Sequence, residues 1–495
     1  MKVFHLRRTL TAALLAGVAL APGASRAADL AATPDGAKLV VGFFKTYAGA
    51  AAASEPALVV KPAGDAYLVA IDIGALMAPL KSLGVSYDAA TITFKVHAQD
   101  DGSWRIEQSD FPPIVGHQTT PKGVVDSAIT PSGFKSSLVL DPALGWMRSG
   151  DVHADKLSVL AHAPGIEESF DFGSVVATIS GQAGADGAVK QSTRETFGAI
   201  GFNLLVDPKL AQPRSITEAK AVAVTGGAQS GSAAIDIDGL KTKPMLDAWA
   251  YAVAHPSPAN DPNFKTLLTA LAATQPSLSE NLQVKTLTIN APQGRIAMDD
   301  ARFEIGATAA GPASHVEERF VANGLSLPET LAPAIFRDLV PTSFDIAFKL
   351  SGIDINAAAA EAVADMKSTE QGVTLSQEDK SRVYGKLFGP GPLVIDIPRS
   401  HVVAPQLDVT FEGQVQYRPG GRPTGRFTVH MRDFDKTVTA MKGLGPQAEQ
   451  QVIPAFAMAK GLAKTDSDGA LSWVGELSPD GMMKVNGMPL GKAPM

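Results

Sequence analysis

The sequence contains no cysteine, and that absence removes several kinds of chemistry at once. Disulfides, thiolate nucleophiles, cysteine-ligated zinc and iron–sulfur clusters all require this residue. Aromatic residues make up only 6% of the 495 residues, whereas Ala, Gly and Pro are abundant. We therefore expect a core built mainly from Val, Ile, Leu and Ala.

Long apolar runs and clusters of basic residues are also missing. Beyond the N-terminal segment, no stretch reaches the roughly 18 apolar residues that a membrane helix requires, so we expect no transmembrane segment in the mature chain. The formal net charge is −7, and loss of the four basic residues within positions 1–27 would bring it to −11. Because phosphate backbones are held mainly by clustered Lys and Arg, nucleic acid is not an expected partner.

The N-terminal segment has the pattern of a secretory signal peptide. Arg7 and Arg8 precede the uncharged run TLTAALLAGVALA, and Ser25 and Ala27 supply small residues at the cleavage position. We predict that residues 1–27 are removed and that the mature protein is periplasmic. The arginine pair leaves twin-arginine export open, but the residues after it match that motif poorly, which favours ordinary export.

Strand patterns dominate the rest of the chain. Residues 92–96 alternate apolar and polar side chains, Asp101-Gly102 forms a turn, and residues 104–106 return, which predicts a hairpin. The same pattern recurs along the chain with short polar turns, and this favours antiparallel meanders.

The clearest helix is DPNFKTLLTALAA, where Asp261 is the candidate N-cap. Further helices are predicted at roughly 36–49, 74–83, 244–254, 328–338, 356–367, 377–388 and 446–463. The expected fold is α+β, with large curved antiparallel β-sheet meanders and interspersed helices.

An internal repeat is predicted in the second half of the chain. Residues 262–305 and 377–417 each have the order helix, strand, strand, and each carries the tripeptide Ala-Pro-Gln between its two strands. We predict a signal peptide at 1–27, an N-terminal α+β region at 28–135, a β-rich middle region at 136–260, and a C-terminal region at 261–495 with the repeated helix–strand–strand units.

Acidic turns next to glycine raise the question of a metal site. A calcium loop needs oxygen ligands at about positions 1, 3, 5 and 12. Lys464 stands where the loop around Asp466 to Gly469 should begin, and Ala234 stands where the loop around Asp236 to Gly239 should begin. We therefore interpret both segments as hairpin turns, in which Gly supplies a positive φ.

The remaining catalytic and metal-binding patterns are absent. The histidines after residue 27 lack an HExxH pair or another familiar spacing, and His430 with Asp433 and Asp435 is the densest grouping. If His430 lies on a strand, Asp433 points to the opposite face. The segment GGAQSGS lacks the spacing of a nucleophile elbow, and phosphate-binding and dinucleotide-binding loops are missing. We predict no catalytic residue, no cofactor and no metal site. A hydrolase with a site assembled from distant residues, such as a glycosidase carboxylate pair, stays open.

The alternation itself predicts a sheet with one apolar face. Such a face must be covered by the protein's own helices and side chains, or else bind a partner or a hydrophobic ligand. Trp473, which precedes the predicted turn at 478–481, is expected in the core. These features favour a non-catalytic binding or scaffold module, with lipid or an envelope protein as the expected partner.

Three segments resemble an uncharacterised alphaproteobacterial periplasmic family, a domain of unknown function of the DUF2125 type. They are GDAYLVAIDIGALMAPL, SLPETLAPAIFRDLVPTSFDIAFKLSGIDI and DGMMKVNGMPLGK. The helix–strand–strand repeat is also remotely similar to the β-rich envelope proteins related to AsmA. That resemblance implies groove-like sheets and a role in envelope maintenance or lipid movement, although we expect this chain to lack their retained N-terminal anchor. It implies no functional residues.

Overall fold

A computed structural model describes residues 29–48, 57–78, 81, 84–120, 123–206, 222–255, 258–369, 372–389, 391–418, 421–442 and 446–492. The predicted signal peptide at 1–27 lies outside these described residues. Among them, no helix is both long enough and apolar enough to span a bilayer.

The described chain consists mostly of strands, with helices between groups of them. The α-helices are α1 (Pro34–Ala48), α2 (Ile73–Leu76), α3 (Thr242–Ala254), α4 (Pro262–Ala272), α5 (Ile355–Asp365), α6 (Gln377–Leu387), α7 (Phe434–Lys442) and α8 (Pro446–Leu462). The strands are β1 (Leu58–Ala63), β2 (Ala66–Asp72), β3 (Val85–Tyr87), β4 (Thr91–Ala98), β5 (Trp104–Gln108), β6 (Ile114–Thr120), β7 (Gly123–Ser132), β8 (Lys135–Asp141), β9 (Trp146–Ala163), β10 (Ile166–Ala183), β11 (Val189–Phe197), β12 (Ile200–Val206), β13 (Val222–Ala228), β14 (Ser230–Leu240), β15 (Ser277–Ala291), β16 (Gly294–Thr308), β17 (Ser314–Asn323), β18 (Ser343–Ile353), β19 (Lys367–Thr369), β20 (Gly372–Thr374), β21 (Leu393–Ala404), β22 (Leu407–Tyr417), β23 (Thr424–Arg432), β24 (Lys464–Thr465), β25 (Leu471–Leu477), β26 (Met482–Val485) and β27 (Met488–Lys492). The predicted α+β class is confirmed.

The chain forms two compact units. The first takes in the described residues up to Leu278 together with Ala359–Ser381, and the second takes in Ser279–Ala358 together with the described residues from Arg382 onward. The finer division predicted at residues 28–135, 136–260 and 261–495 stays a prediction.

The first unit is organised around the long antiparallel pair β9 and β10. Strand β9 pairs with β8 along its first half and with β7 along its second half. Strand β10 divides its other edge in the same way between β11 and β12. Helix α1 packs on the sheet through Val40, and this core includes Val69 and Val96, which are both fully buried. The predicted hairpin at 92–106 is β4 with β5, in which Val96 pairs with Ile106.

The second unit contains an antiparallel series in the order β16, β17, β18, β21, β22, β23, β25, β26 and β27. Neighbouring strands are mostly consecutive in sequence, which is the meander that the short polar turns predict. Asn486, with a φ of +50°, and Gly487 form the tight turn between the last two strands. The C-terminal stretch is therefore a set of hairpins, as expected.

The helix–strand–strand order is present in both predicted repeats. Helices α4 and α6 have 11 residues each. Pro292 and Gln293 form the turn before β16, and Pro405 and Gln406 form the turn before β22. The shared order agrees with the predicted repeat, while its origin by duplication stays a prediction.

Two local predictions are wrong. Asp238-Gly239 is not a hairpin turn, because it lies within β14, where the pairing with β11 shifts by one residue and Gly239, with a φ of +78°, forms the bulge. The helix predicted at 328–338 is instead a turn followed by a short 3₁₀ helix, Ala334–Leu339. Pro333 stands directly before that helix and lacks the N–H group that a continuous α-helix would need at this position.

Candidate functional site

The sheet of the second unit carries a row of polar residues across four neighbouring strands. Asp345 of β18 is the register partner of His401 in β21, His401 is the partner of Thr410 in β22, and Thr410 is the partner of His430 in β23. Register partners point to the same side of a sheet. The row lines a cleft of about 520 Å³ whose wall also includes Arg399, Asp408, Arg432, Asp466 and Asp468.

Each histidine of the row is held by its own carboxylate. The distance from His401 Nε2 to Asp408 Oδ1 is 2.7 Å, and the distance from His430 Nδ1 to Asp466 Oδ2 is also 2.7 Å. Ser472 Oγ donates to the other oxygen of Asp466 at 2.8 Å. The hydrogen bonds from Ser472 and His430 lower the pKa of Asp466 below its usual value.

Arginines pair with two further acids of this face, Asp468 and Asp345. Arg432 Nη2 lies 2.9 Å from Asp468 Oδ2, and the backbone N–H of Ala470 followed by Arg432 lowers the pKa of Asp468. Arg319 donates from Nε and Nη2 to the two oxygens of Asp345, at 2.7 and 2.6 Å, and this pairing lowers the pKa of Asp345. These three carboxylates are ionised at neutral pH, so none of them is suited to act as a general acid.

The acid–glycine turn near the C-terminus contributes directly to this cleft. The N–H of Asp466 donates to Ala470 O at 2.8 Å, and Gly469 adopts a φ of +82°, so the segment is a tight turn as predicted. Its two aspartates contact His430 and Arg432 across the strand pair. His430 therefore contacts an acid 36 residues away, which sequence spacing could not show.

The opposite face of the same sheet is apolar. Phe303 and Phe320 contact each other with ring centroids 4.7 Å apart, and Phe411 lies 6.1 Å from Phe427. The alternation of side chains along each strand places this apolar face directly behind the polar row. The predicted amphipathic sheet is therefore present in the second unit.

One end of the apolar face is covered by the unit's own helices. Phe434 of α7 lies 5.8 Å from the ring of Trp473 in β25 and 5.5 Å from Phe456 of α8. Trp473 Nε1 donates to the carbonyl oxygen of Ala459 in α8 at 2.7 Å. This contact fixes α8 over the sheet at the position of Trp473.

Three large side chains on the same face are not covered in this way. Phe320, Phe348 and Ile395 expose 38%, 44% and 40% of their surface. They lie on three neighbouring strands, where Phe320 pairs with Ile346, the second residue before Phe348, and Leu350 pairs with Ile395. Glu318, the register partner of Phe348, lies on the same face and is the charged neighbour of these side chains. We call these three residues the apolar patch. Only part of the apolar face is therefore self-covered.

No curated protein and no solved structure matches this chain. A family model matches residues 326–494, the part that contains the polar row, α7, α8 and most of the apolar patch. That model describes an uncharacterized protein conserved in bacteria, DUF2125, and residues 326–494 are similar to this domain of unknown function.

Proposed function

We propose that this protein is an exported, non-catalytic binding module of the periplasm whose apolar patch accommodates the acyl chain of a lipid, in a role in envelope maintenance. The observation that carries the proposal is the exposure of Phe320, Phe348 and Ile395 on three neighbouring strands, beside the part of the face that α7 and α8 cover.

The energetics favour an elongated apolar ligand. Burial of one methylene group contributes about 0.8 kcal/mol, so about five methylenes lying on the patch would contribute about 4 kcal/mol. Three neighbouring strands supply the patch, so a linear chain that lies across them can contact all three side chains. An exposed apolar surface of this kind is a feature of binding sites.

The ion pairs of the polar face support a binding role over a catalytic one. Asp345, Asp466 and Asp468 all have lowered pKa values because hydrogen-bond donors hold their ionised forms. Ionised carboxylates of this kind keep one side of the sheet hydrated while the other side takes up the ligand. The predicted signal peptide, the acidic net charge and the predicted similarity to AsmA-related proteins agree with this role.

The proposal is tested by displacement of a fluorescent apolar probe, N-phenyl-1-naphthylamine, by oleate on the purified mature protein. Native mass spectrometry after gentle purification gives an independent readout of any lipid carried by the protein. We expect saturable binding, and we expect Phe348→Asp and Ile395→Asp each to weaken it by about tenfold or more, since a charge then lies against the chain.

Leu39→Asp is the matched control. Leu39 is 73% exposed and lies on α1 in the first unit, so this substitution adds the same charge at an exposed apolar residue that is not part of the patch. It should leave binding unchanged. Equal binding by all three variants would overturn the proposal, as would a protein that binds neither probe nor lipid.

A second function, hydrolysis, is favoured by one specific arrangement. Thr410 stands in register between His401 and His430, and each histidine is held by an aspartate. A hydroxyl, a base and an acid that orients the base are the components of nucleophilic hydrolysis.

Thr410→Val tests this second candidate, because valine keeps the shape of the side chain and lacks the hydroxyl. A hydrolase would lose at least about 100-fold in the rate of p-nitrophenyl ester cleavage, whereas Thr410→Ser would retain activity. A rate that is the same in wild type and Thr410→Val would remove this candidate.

A further inference from the structure

His97 of β4 has an unusual environment. Its side chain is only 7% exposed, and neither ring nitrogen has a hydrogen-bond partner. Buried polar groups are nearly always satisfied, because an unpaired one costs free energy. The environment of this imidazole therefore requires an explanation.

Two carboxylates from separate segments face the same nitrogen. Asp29 Oδ2 lies 3.6 Å from His97 Nδ1, and Asp65 Oδ2 lies 3.9 Å from it. Asp29 is held beside β4 by its bridge to Gln99, and Asp65 lies at the tip of the hairpin between β1 and β2. The three ligand atoms lie within 4.8 Å of one another.

The second ring nitrogen faces a third carboxylate. Glu107 Oε2 lies 3.5 Å from His97 Nε2, and Arg105 pairs with both Glu107 and Asp29. A histidine that binds a metal through one nitrogen commonly donates the other N–H to a carboxylate, which fixes the tautomer. Glu107 is in the position for that role.

We propose that Asp29, Asp65 and Nδ1 of His97 bind a divalent transition-metal ion, with Zn²⁺ the ion that best fits the donors, and that the ion ties the segment at Asp29 to the sheet of the first unit. Zn²⁺ binds imidazole nitrogen and carboxylate oxygen at about 2.0–2.2 Å, so tetrahedral ligand atoms stand about 3.3 Å apart. The observed separations of 3.6 and 3.9 Å exceed this by about 0.3 and 0.6 Å, and the exposed side chain of Asp65 can move to bring its oxygen closer to Nδ1 and to the oxygen of Asp29.

The surrounding charges agree with a cation at this position. Asp29, Asp65 and Glu107 supply three negative charges, against which Arg105 and the more distant Lys95 are the positive groups. Burial, followed by the charge of Arg105, lowers the pKa of His97. When the ion binds, Arg105 keeps its contact with Glu107.

The test is a Zn²⁺ titration against a colorimetric chelator. It uses the mature protein with its native N-terminus, a C-terminal tag without histidine, and prior removal of metal. We expect one high-affinity Zn²⁺ per chain. Asp65→Asn is the informative variant, because the Asp65 side chain is 70% exposed and its replacement leaves the fold intact.

Loss of a group that hydrogen-bonds to a metal ligand typically lowers metal affinity 10- to 100-fold. Loss of the ligand Asp65 itself should therefore lower the Zn²⁺ affinity at least about 100-fold. His97→Ala should abolish the site. The matched control is His153→Ala, since His153 is another histidine of the first unit that pairs with an aspartate, Asp155, at 3.0 Å. It should bind Zn²⁺ as the wild type does.

The variant Arg105→Gln distinguishes a metal site at His97 from a cluster of ion pairs without a metal. A metal site predicts tighter Zn²⁺ binding in this variant, because the competing cation is gone. An ion-pair cluster predicts a lower melting temperature and no saturable Zn²⁺ binding. The absence of saturable binding in the wild type, or an unchanged affinity in Asp65→Asn, would overturn the proposal.

Discussion

Replacement of Trp473 tests the contact that closes one end of the apolar face. The indole contacts Phe434 of α7 and donates to Ala459 O of α8, and the side chain is half-buried. Full truncation of a buried Trp costs about 3–5 kcal/mol. Because this ring is only half-buried, we expect Trp473→Ala to cost about 3 kcal/mol, of which the hydrogen bond accounts for about 1 kcal/mol.

Two further variants separate the contributions of the ring contact and of the hydrogen bond to the free energy of unfolding. Trp473→Phe keeps most of the ring contact and loses the hydrogen bond, so it should cost about 1 kcal/mol. Trp249→Ala is the matched control, because Trp249 also donates its indole N–H to a backbone carbonyl, that of Tyr47, but is 56% exposed. It should cost no more than about 1 kcal/mol.

The measurement is urea unfolding followed by far-UV circular dichroism, with the m-value checked for each variant. If Trp473→Ala costs no more than Trp249→Ala, the indole is not a core contact. In that case α8 is not fixed on the sheet by this residue, and the account of a partly covered apolar face fails.

Three further outcomes are expected. The hydrogen bond from His117 to Asp126 raises the pKa of the histidine. The stabilising contribution of this hydrogen bond is therefore present below about pH 6.5 and is lost as the pH rises through the higher folded-state pKa. The urea midpoints of the wild type and His117→Gln, measured at pH 6 and pH 9, should differ only at the lower pH. Gly181→Ala should destabilise by about 1–3 kcal/mol, because its Cβ would lie 1.7 Å from the buried ring of Trp146, and an unchanged melting temperature would contradict this. Ser376→Ala should cost about 1 kcal/mol through loss of the N-terminal cap of α6, which thermal unfolding would detect.

Helices with local end signals were predictable. Asp261 accepts from the N–H of Asn263 at the start of α4, as its place before Pro262 indicates. The sequence does not predict helix α7, because a single residue separates it from β23 and it contains the β-branched run 437–439, which favours a strand. Its packing through Phe434 against Phe456 overrides that local preference.

The polar row was only partly accessible from sequence. Alternation along β23 places His430 and Arg432 on the face opposite Met431, which the pattern does predict. The alternation cannot indicate which strand pairs with β23. The contact between His430 and Asp466 is therefore known only from the structure, which shows β23 paired with β25. The group around His97 is harder still, because its acids come from two other segments of the chain.

The most direct test of the proposed apolar binding face is a crystal structure with a fatty acid brominated along its chain. Anomalous scattering from the bromine locates the chain without reference to the protein density. We expect bromine peaks within about 4 Å of Phe348 and Ile395, on the face behind the polar row. Bromine peaks confined to the polar cleft, or no bound chain at saturating concentration, would contradict it.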